Sequence, residues 1–418
     1  MLLPFLLAPH AASISELSWY NSTGRIVAAF NALAFTCNFT INPALGGVDW
    51  EGGRVHGIRL TNSASSHGGR RKILINFATH GRDYALPDLA LRLTHQLCDG
   101  SAKSSAILDS LDILLIPILN VPGRERVEEQ LDSSTCGDLR KNGNLVDINA
   151  NFDPDWVFGN DDSNAVDYRG NLASSEAETK LLKAVQRSFA PSVFVDVHAS
   201  DSVGLTFPHW LTYSDPASVE ALRQYLTPVK DKMCSPSAHE GTNECPKVGS
   251  AARATLPPGK QFGTALDWFH DQGVLSFAWL TYAGSQVPDV LSIDAVGKTS
   301  LYANAEGRGS DGESRRSDRE MGAPTMLPVA ETKSSADAAL LLKGELARGA
   351  LYDPIYDCIK YYAPISEPVY EAWVARWLGA FDTFLSQFVS IGHTTGTDAK
   401  LKLDQMSATR TGSSTSSS

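Results

Sequence analysis

Ile73-Leu74-Ile75-Asn76-Phe77-Ala78-Thr79-His80-Gly81-Arg82-Asp83-Tyr84 is the stretch from which the fold of this chain can be read. Ile73 to Phe77 has the apolar, β-prone composition of a short buried strand, and His80-Gly81 supplies a turn directly after it. From Tyr84 to Leu97 the residues Leu86, Leu89, Ala90, Leu93 and Leu97 recur at helical spacing, which predicts a helix with one apolar face. The unit is a strand, a turn bearing His80 and Asp83, and a helix.

Outward from this unit the pattern repeats. Val55 to Leu60 is a short strand candidate, and residues 13 to 36 carry a helical apolar pattern. Leu111 to Leu119 is almost continuously apolar, as expected of a strand buried on both sheet faces. Ser174 to Phe189 reads as a helix, and Val193 to Val197 as another buried strand ending at His198. Helices are expected over Ala217 to Lys230 and Phe262 to Asp271, and a strand over Val274 to Leu280. Alternation at this spacing predicts an α/β layer architecture.

The alternation sets the organisation. Residues 1–13 form an apolar start resembling a weak secretory signal, though without a basic lead. Residues 14–346 form the α/β domain, with a Gly-, Ser-, Asp- and Arg-rich stretch at 284–320 expected to be a mobile insertion. A helix candidate resumes at Ala336 to Leu346. Residues 347–405 form a helical extension, with Val369, Trp373, Trp377, Phe381 and Phe384 on a helix over Pro368 to Phe388, and the Ser/Thr-rich 406–418 is expected to be a disordered tail.

The chain has 418 residues, 43% hydrophobic and 20% charged, with a formal net charge of -11, so a substantial core can form. No Lys/Arg block offers the positive track a phosphate backbone needs, so nucleic acid is not an expected partner. No apolar run reaches the roughly 18 residues required of a membrane-spanning helix. Six cysteines, Cys37, Cys98, Cys136, Cys234, Cys245 and Cys358, permit up to three bridges in pairings the sequence leaves open. Asn21-Ser22-Thr23 and Asn38-Phe39-Thr40 are glycosylation acceptor patterns. Together these favour an extracellular or vesicular glycoprotein, with the cytoplasm as the alternative.

Chemistry gathers at His80, Asp83 and His198. His80 and Asp83 lie three residues apart after one strand and His198 follows another. Open α/β sheets place sites beyond the carboxyl ends of their strands, so the three can converge on one ion. Two imidazole nitrogens and a carboxylate with an open position suit hydrolytic zinc.

Around these residues the chain resembles the zinc metallocarboxypeptidases, which remove C-terminal residues from peptides. Asn76 to Tyr84 resembles the family's first metal motif, a histidine followed three residues later by glutamate. Ile116-Pro117-Ile118-Leu119-Asn120, Leu139-Arg140-Lys141-Asn142, Val146 to Phe152, Val195-Asp196-Val197-His198 and Leu266-Asp267-Trp268 follow in the family's order, over about residues 14 to 346. The resemblance implies a mixed, twisted eight-stranded sheet with helices on both faces. It implies that His80 and His198 bind one Zn²⁺, with Asp83 in the glutamate position, and that Asp147 orients the first histidine. It also implies that Arg140 stabilises the oxyanion, that Asn149 binds the terminal carboxylate, and that Leu266 lines a pocket suited to an apolar end residue. The implied partner is a peptide or protein C-terminus, met by a monomer.

Four positions depart from the family pattern. Asp83 replaces glutamate and loses a methylene of reach. Ala150 stands where the family has the arginine that clamps the terminal carboxylate. The segment Thr255 to Gln261 lacks the family's closing tyrosine, with Leu256 and Gly259 both open as its replacement. Leu280 stands where a glutamate takes a proton from the attacking water, and leucine can neither accept nor donate one. The expectation is therefore a divergent, metal-binding relative that is weakly active or inactive. The alternative is an active zinc carboxypeptidase with a different general base.

Overall fold

The computed structural model describes residues 20–37, 55–62, 69–129, 138–200, 203–208, 216–234, 245–250, 261–281, 362–364 and 366–391. All belong to one compact unit spanning Ser13–Val287 and Pro354–Ser418. The starting segment, the stretch at 284–320, the helix candidate Ala336 to Leu346 and the tail at 406–418 lie outside the described residues.

Among the described residues seven strands form one sheet: β1 (Ile58–Leu60), β2 (Arg71–Phe77), β3 (Leu111–Ile116), β4 (Val193–Ala199), β5 (Gly204–Phe207), β6 (Lys247–Ser250) and β7 (Leu275–Thr281). Their order is β1-β3-β2-β4-β7-β5-β6. The four central strands, β3, β2, β4 and β7, run parallel, while β1 and the β5–β6 pair join antiparallel to β3 and β7. The sheet is mixed as expected, but the eighth strand has no counterpart among the described residues.

Among the described residues eight α-helices accompany it: α1 (Thr23–Thr36), α2 (Leu86–Leu97), α3 (Ala102–Ser110), α4 (Val121–Glu128), α5 (Ala177–Phe189), α6 (Pro216–Met233), α7 (Ala265–Asp271) and α8 (Glu367–Ile391). Several start or stop away from the periodic pattern, for local reasons. The strand at Leu111 stops at Ile116 because Pro117 cannot donate to the ladder. The helix after the His80 turn starts at Leu86, with Pro87 in its first turn. Helix α3 and strands β5 and β6 are short and carry too little periodicity to be predicted from sequence.

Pairing fixes the two faces of the sheet. Across β4 and β7, Asp196 pairs with Ala278, Val197 with Trp279 and His198 with Leu280. Aligned residues on parallel neighbours point the same way, and successive residues alternate. One face therefore carries Phe194, Asp196, His198, Ala278 and Leu280; Phe194 stacks on Phe269 of α7 at 3.9 Å between ring centroids. The other face carries Phe77, Phe277 and Trp279, which α8 covers with Phe381 and Phe384, Trp377 also packing on Trp279. Most of the apolar core lies between these layers.

Two disulfides occur among the described residues, Cys37–Cys98 joining the ends of α1 and α2, and Cys234–Cys245. No helix of the described residues is long and apolar enough to cross a membrane. In the acceptor pattern at Asn21, the side-chain amide donates to the buried Asp88 at 2.5 Å, and Ser22 caps α1. Asn38 lies outside the described residues.

Candidate metal centre

Strand β2 has β3 on one side and β4 on the other, so the chain reverses its winding there and leaves a crevice beyond the carboxyl ends of β2 and β4. His80 and Asp83 occupy the turn after β2. That turn is pressed against the segment Asp138–Arg140, with Arg82 N donating to Leu139 O at 2.8 Å and Gly81 N to Arg140 O at 3.4 Å. A Cβ at residue 81 would lie 2.4 Å from Gly123 O, so only glycine permits this approach. His198 arrives inside β4, which runs two residues beyond its expected end and pairs His198 with Leu280.

The three expected donors converge. His80 Nδ1 lies 3.1 Å from Asp83 Oδ2, and His198 Nδ1 lies 3.9 Å from the same oxygen. All three residues are buried and their donor atoms fall within 4.8 Å of one another. His198 Nδ1 has no hydrogen-bond partner among the described residues. A buried polar nitrogen facing a carboxylate without a partner is costly unless a ligand fills the gap. Two imidazole nitrogens and one carboxylate oxygen match an open zinc site, so the residues present fit that ion.

Carboxylates stand behind both imidazoles. Asp147 Oδ1 is 3.4 Å from His80 Nε2, and Asp147 Oδ2 accepts from Arg140 Nε at 2.8 Å. Asp196 Oδ2 lies 2.9 Å from His198 Nε2. Asp196 received no role from the sequence, although strand alternation puts it on the face of His198, two residues away. Asp147 also caps the turn Ile148–Ala150 by accepting from Asn149 N at 3.0 Å.

The charges hold one another in place. Burial would raise the Asp147 carboxyl, but the Arg140 charge and the contact with His80 hold it well below the usual carboxylate range. Burial would likewise raise Asp83, yet His80, then His198 and Arg82, keep it lowered. Burial pushes the Arg82 guanidinium down; it lies 4.1 Å from the ring centre of Tyr362, a residue close before α8 that the sequence did not mark.

The substrate-handling positions are placed less directly. Arg140 sits beside the centre, oriented by Asp147. The Asn149 side-chain oxygen accepts from Ala265 N at 3.1 Å, so it tethers the start of α7. Leu266 and Ala278 form a small apolar cluster separate from the main core. Ala150 is buried beneath Gly263, whose φ of +68° and absent Cβ let it sit against the Ala150 carbonyl. Leu280 shares the His198 face and fills space beside Gly204, where an added Cβ would come within 3.1 Å of its Cδ1. Thr281 is turned away, and its hydroxyl donates to His198 O at 3.0 Å.

The sequence profile described as "Zinc carboxypeptidase" matches residues 26–299, more than half of the chain. This chain belongs to the zinc carboxypeptidase family. Its fold is that of the family's solved structures. A thrombin activatable fibrinolysis inhibitor structure aligns at TM-score 0.54 and 20% identity, covering 64% of this chain and 67% of that one. A bovine thrombin-activatable fibrinolysis inhibitor in complex with tick carboxypeptidase inhibitor aligns at 0.56 and 16%, covering 90% and 99%. Carboxypeptidase A from Helicoverpa armigera aligns at 0.52 and 19%, covering 64% and 66%. At these identities the likeness carries the fold alone. No curated protein sequence matches the chain. For this member of the zinc carboxypeptidase family, the ion that the His80, Asp83 and His198 triad fits is zinc.

Proposed function

We propose that this zinc carboxypeptidase relative binds Zn²⁺ through His80, Asp83 and His198 but hydrolyses peptides weakly or not at all. The observation that carries the proposal is the pairing of Leu280 with His198 on the site's face of the sheet. A proton acceptor is needed beside the attacking water, and leucine offers none. Zinc, when bound, supplies Lewis-acid polarisation of a carbonyl and lowers the pKa of water. Arg140, fixed on Asp147, offers positive charge to an oxygen on which charge develops. Ala150 gives a terminal carboxylate no bidentate partner, and the Asn149 oxygen is already engaged with Ala265. Leu266 and Ala278 favour an apolar end residue on a peptide or protein C-terminus. The two disulfides support an extracellular or vesicular setting, and we take the protein to act there as a monomer.

The second reading, an active zinc carboxypeptidase with another general base, draws on the convergence of His80, Asp83 and His198 and on Arg140. Zinc analysis combined with hydrolysis of blocked peptides by the natural protein and by Leu280→Glu separates the two. The expected result is zinc in both proteins, little amino-acid release by the natural one, and a zinc-dependent gain of roughly a hundredfold in the variant. Fast zinc-dependent release by the natural protein, unimproved by the variant, would establish the second reading.

A further inference from the structure

We infer that Asp196 is a positioning residue that holds His198 in the tautomer whose Nδ1 faces the metal centre, an inference that rests on reading His80, Asp83 and His198 as that centre. The geometry fixes which oxygen does what. Asp196 is fully buried, and its Oδ1 accepts from Asn76 Nδ2 at 2.8 Å and from Thr79 Oγ1 at 3.2 Å. These two donors hold the carboxylate in one orientation, leaving Oδ2 2.9 Å from His198 Nε2. Oδ2 is otherwise without a hydrogen-bond partner among the described residues, and a carboxylate oxygen can only accept, so a proton on the facing Nε2 is what satisfies it. The remaining lone pair is then on Nδ1, which is buried and directed toward Asp83. His80 is arranged in parallel, with Asp147 behind its Nε2 and Nδ1 toward the same Asp83 oxygen. Both imidazoles thus turn the same nitrogen toward Asp83.

Asp196→Asn tests this, because Asn76 and Thr79 continue to claim the oxygen and turn the new amide toward His198. The amide nitrogen can only donate, so the facing Nε2 must give up its proton and Nδ1 acquires it. The measurement is ¹⁵N-histidine NMR of the full-length, metal-free protein at alkaline pH, with zinc affinity measured alongside. In the natural protein, His198 is expected to show a protonated Nε2 and an unprotonated Nδ1. In Asp196→Asn the two resonances exchange character and zinc binds about 10- to 100-fold more weakly. Asp196→Glu, which keeps an acceptor, is expected to retain the natural tautomer. A natural protein with its His198 proton on Nδ1 would overturn the inference without reference to any variant, as would unchanged tautomer and affinity in a folded Asp196→Asn. Failure of the metal reading is distinguishable: the natural protein would then show the expected tautomer and take up no zinc.

Discussion

Asp83 carries one methylene fewer than the glutamate expected in this family, which shortens the reach of its side chain toward a metal. The backbone supplies what the side chain lacks. Asp83 is fully buried, its two oxygens accept from His80 N at 3.2 Å and Ala199 N at 3.3 Å, and Oδ2 already lies 3.1 Å from His80 Nδ1. Asp83→Glu is therefore expected to gain no zinc affinity. The extra methylene must displace the groups packed around a fully buried side chain, at a cost of about 1–3 kcal/mol. Zinc titration and a denaturant melt check both halves, and a variant that binds zinc more tightly without loss of stability would show that reach is limiting. Leu280 and Ala150 are the other decisive residues at this scale. Their identities were legible in the sequence, but only the β4–β7 register puts Leu280 beside His198.

The turn between β2 and α2 is the element on which the site depends. It carries His80, Arg82 and Asp83, and it packs backbone to backbone against α4 and the Asp138–Arg140 segment, which also bears Arg140. Gly81→Ala would bring a Cβ within 2.4 Å of Gly123 O and 2.9 Å of Leu139 O, neither of which is a yielding side chain. The expected outcome is displacement of the turn, with destabilisation of about 1–3 kcal/mol and loss of stoichiometric zinc. Thermal denaturation and metal analysis of the purified variant check it; full zinc occupancy would show that the turn tolerates the shift. The strand-turn-helix unit was legible because its periodicity changes abruptly from strand to helix. The precision of its docking was not, since α4 lies some forty residues further along the chain.

For the molecule as a whole, Asp88 binds distant segments together. Its carboxylate accepts from Asn21 N at 3.3 Å and Asn21 Nδ2 at 2.5 Å, while Arg124 of α4 donates to Asn21 O at 2.7 Å. Nearby, Tyr20 donates to Pro364 O at 2.5 Å, close before α8. Burial, opposed by Arg124 and Asn21, pushes the Asp88 carboxyl up from 3.8 to about 6. The folded state therefore prefers Asp88 protonated. Its contribution to stability is complete below the unfolded value and is lost as pH rises through about 6, on the order of 3 kcal/mol. Urea midpoints are expected to fall between about pH 4 and pH 7 in the natural protein and to lose that slope in Asp88→Asn. Equal slopes in the two proteins would exclude Asp88 as the cause.

The sequence by itself determined the alternating α/β order, the three metal donors and the absence of a carboxylate at residue 280, because periodicity and residue chemistry are local properties. The tertiary structure decided what those donors face. Asp196 aimed at His198 by Asn76 and Thr79, Asp147 between His80 and Arg140, Asn149 tethered to the backbone of α7 and Tyr362 over Arg82 each bring together groups from different segments of the chain. Hydrogen-bond direction at an imidazole is set by atoms within about 3 Å, and only the folded chain brings those atoms together.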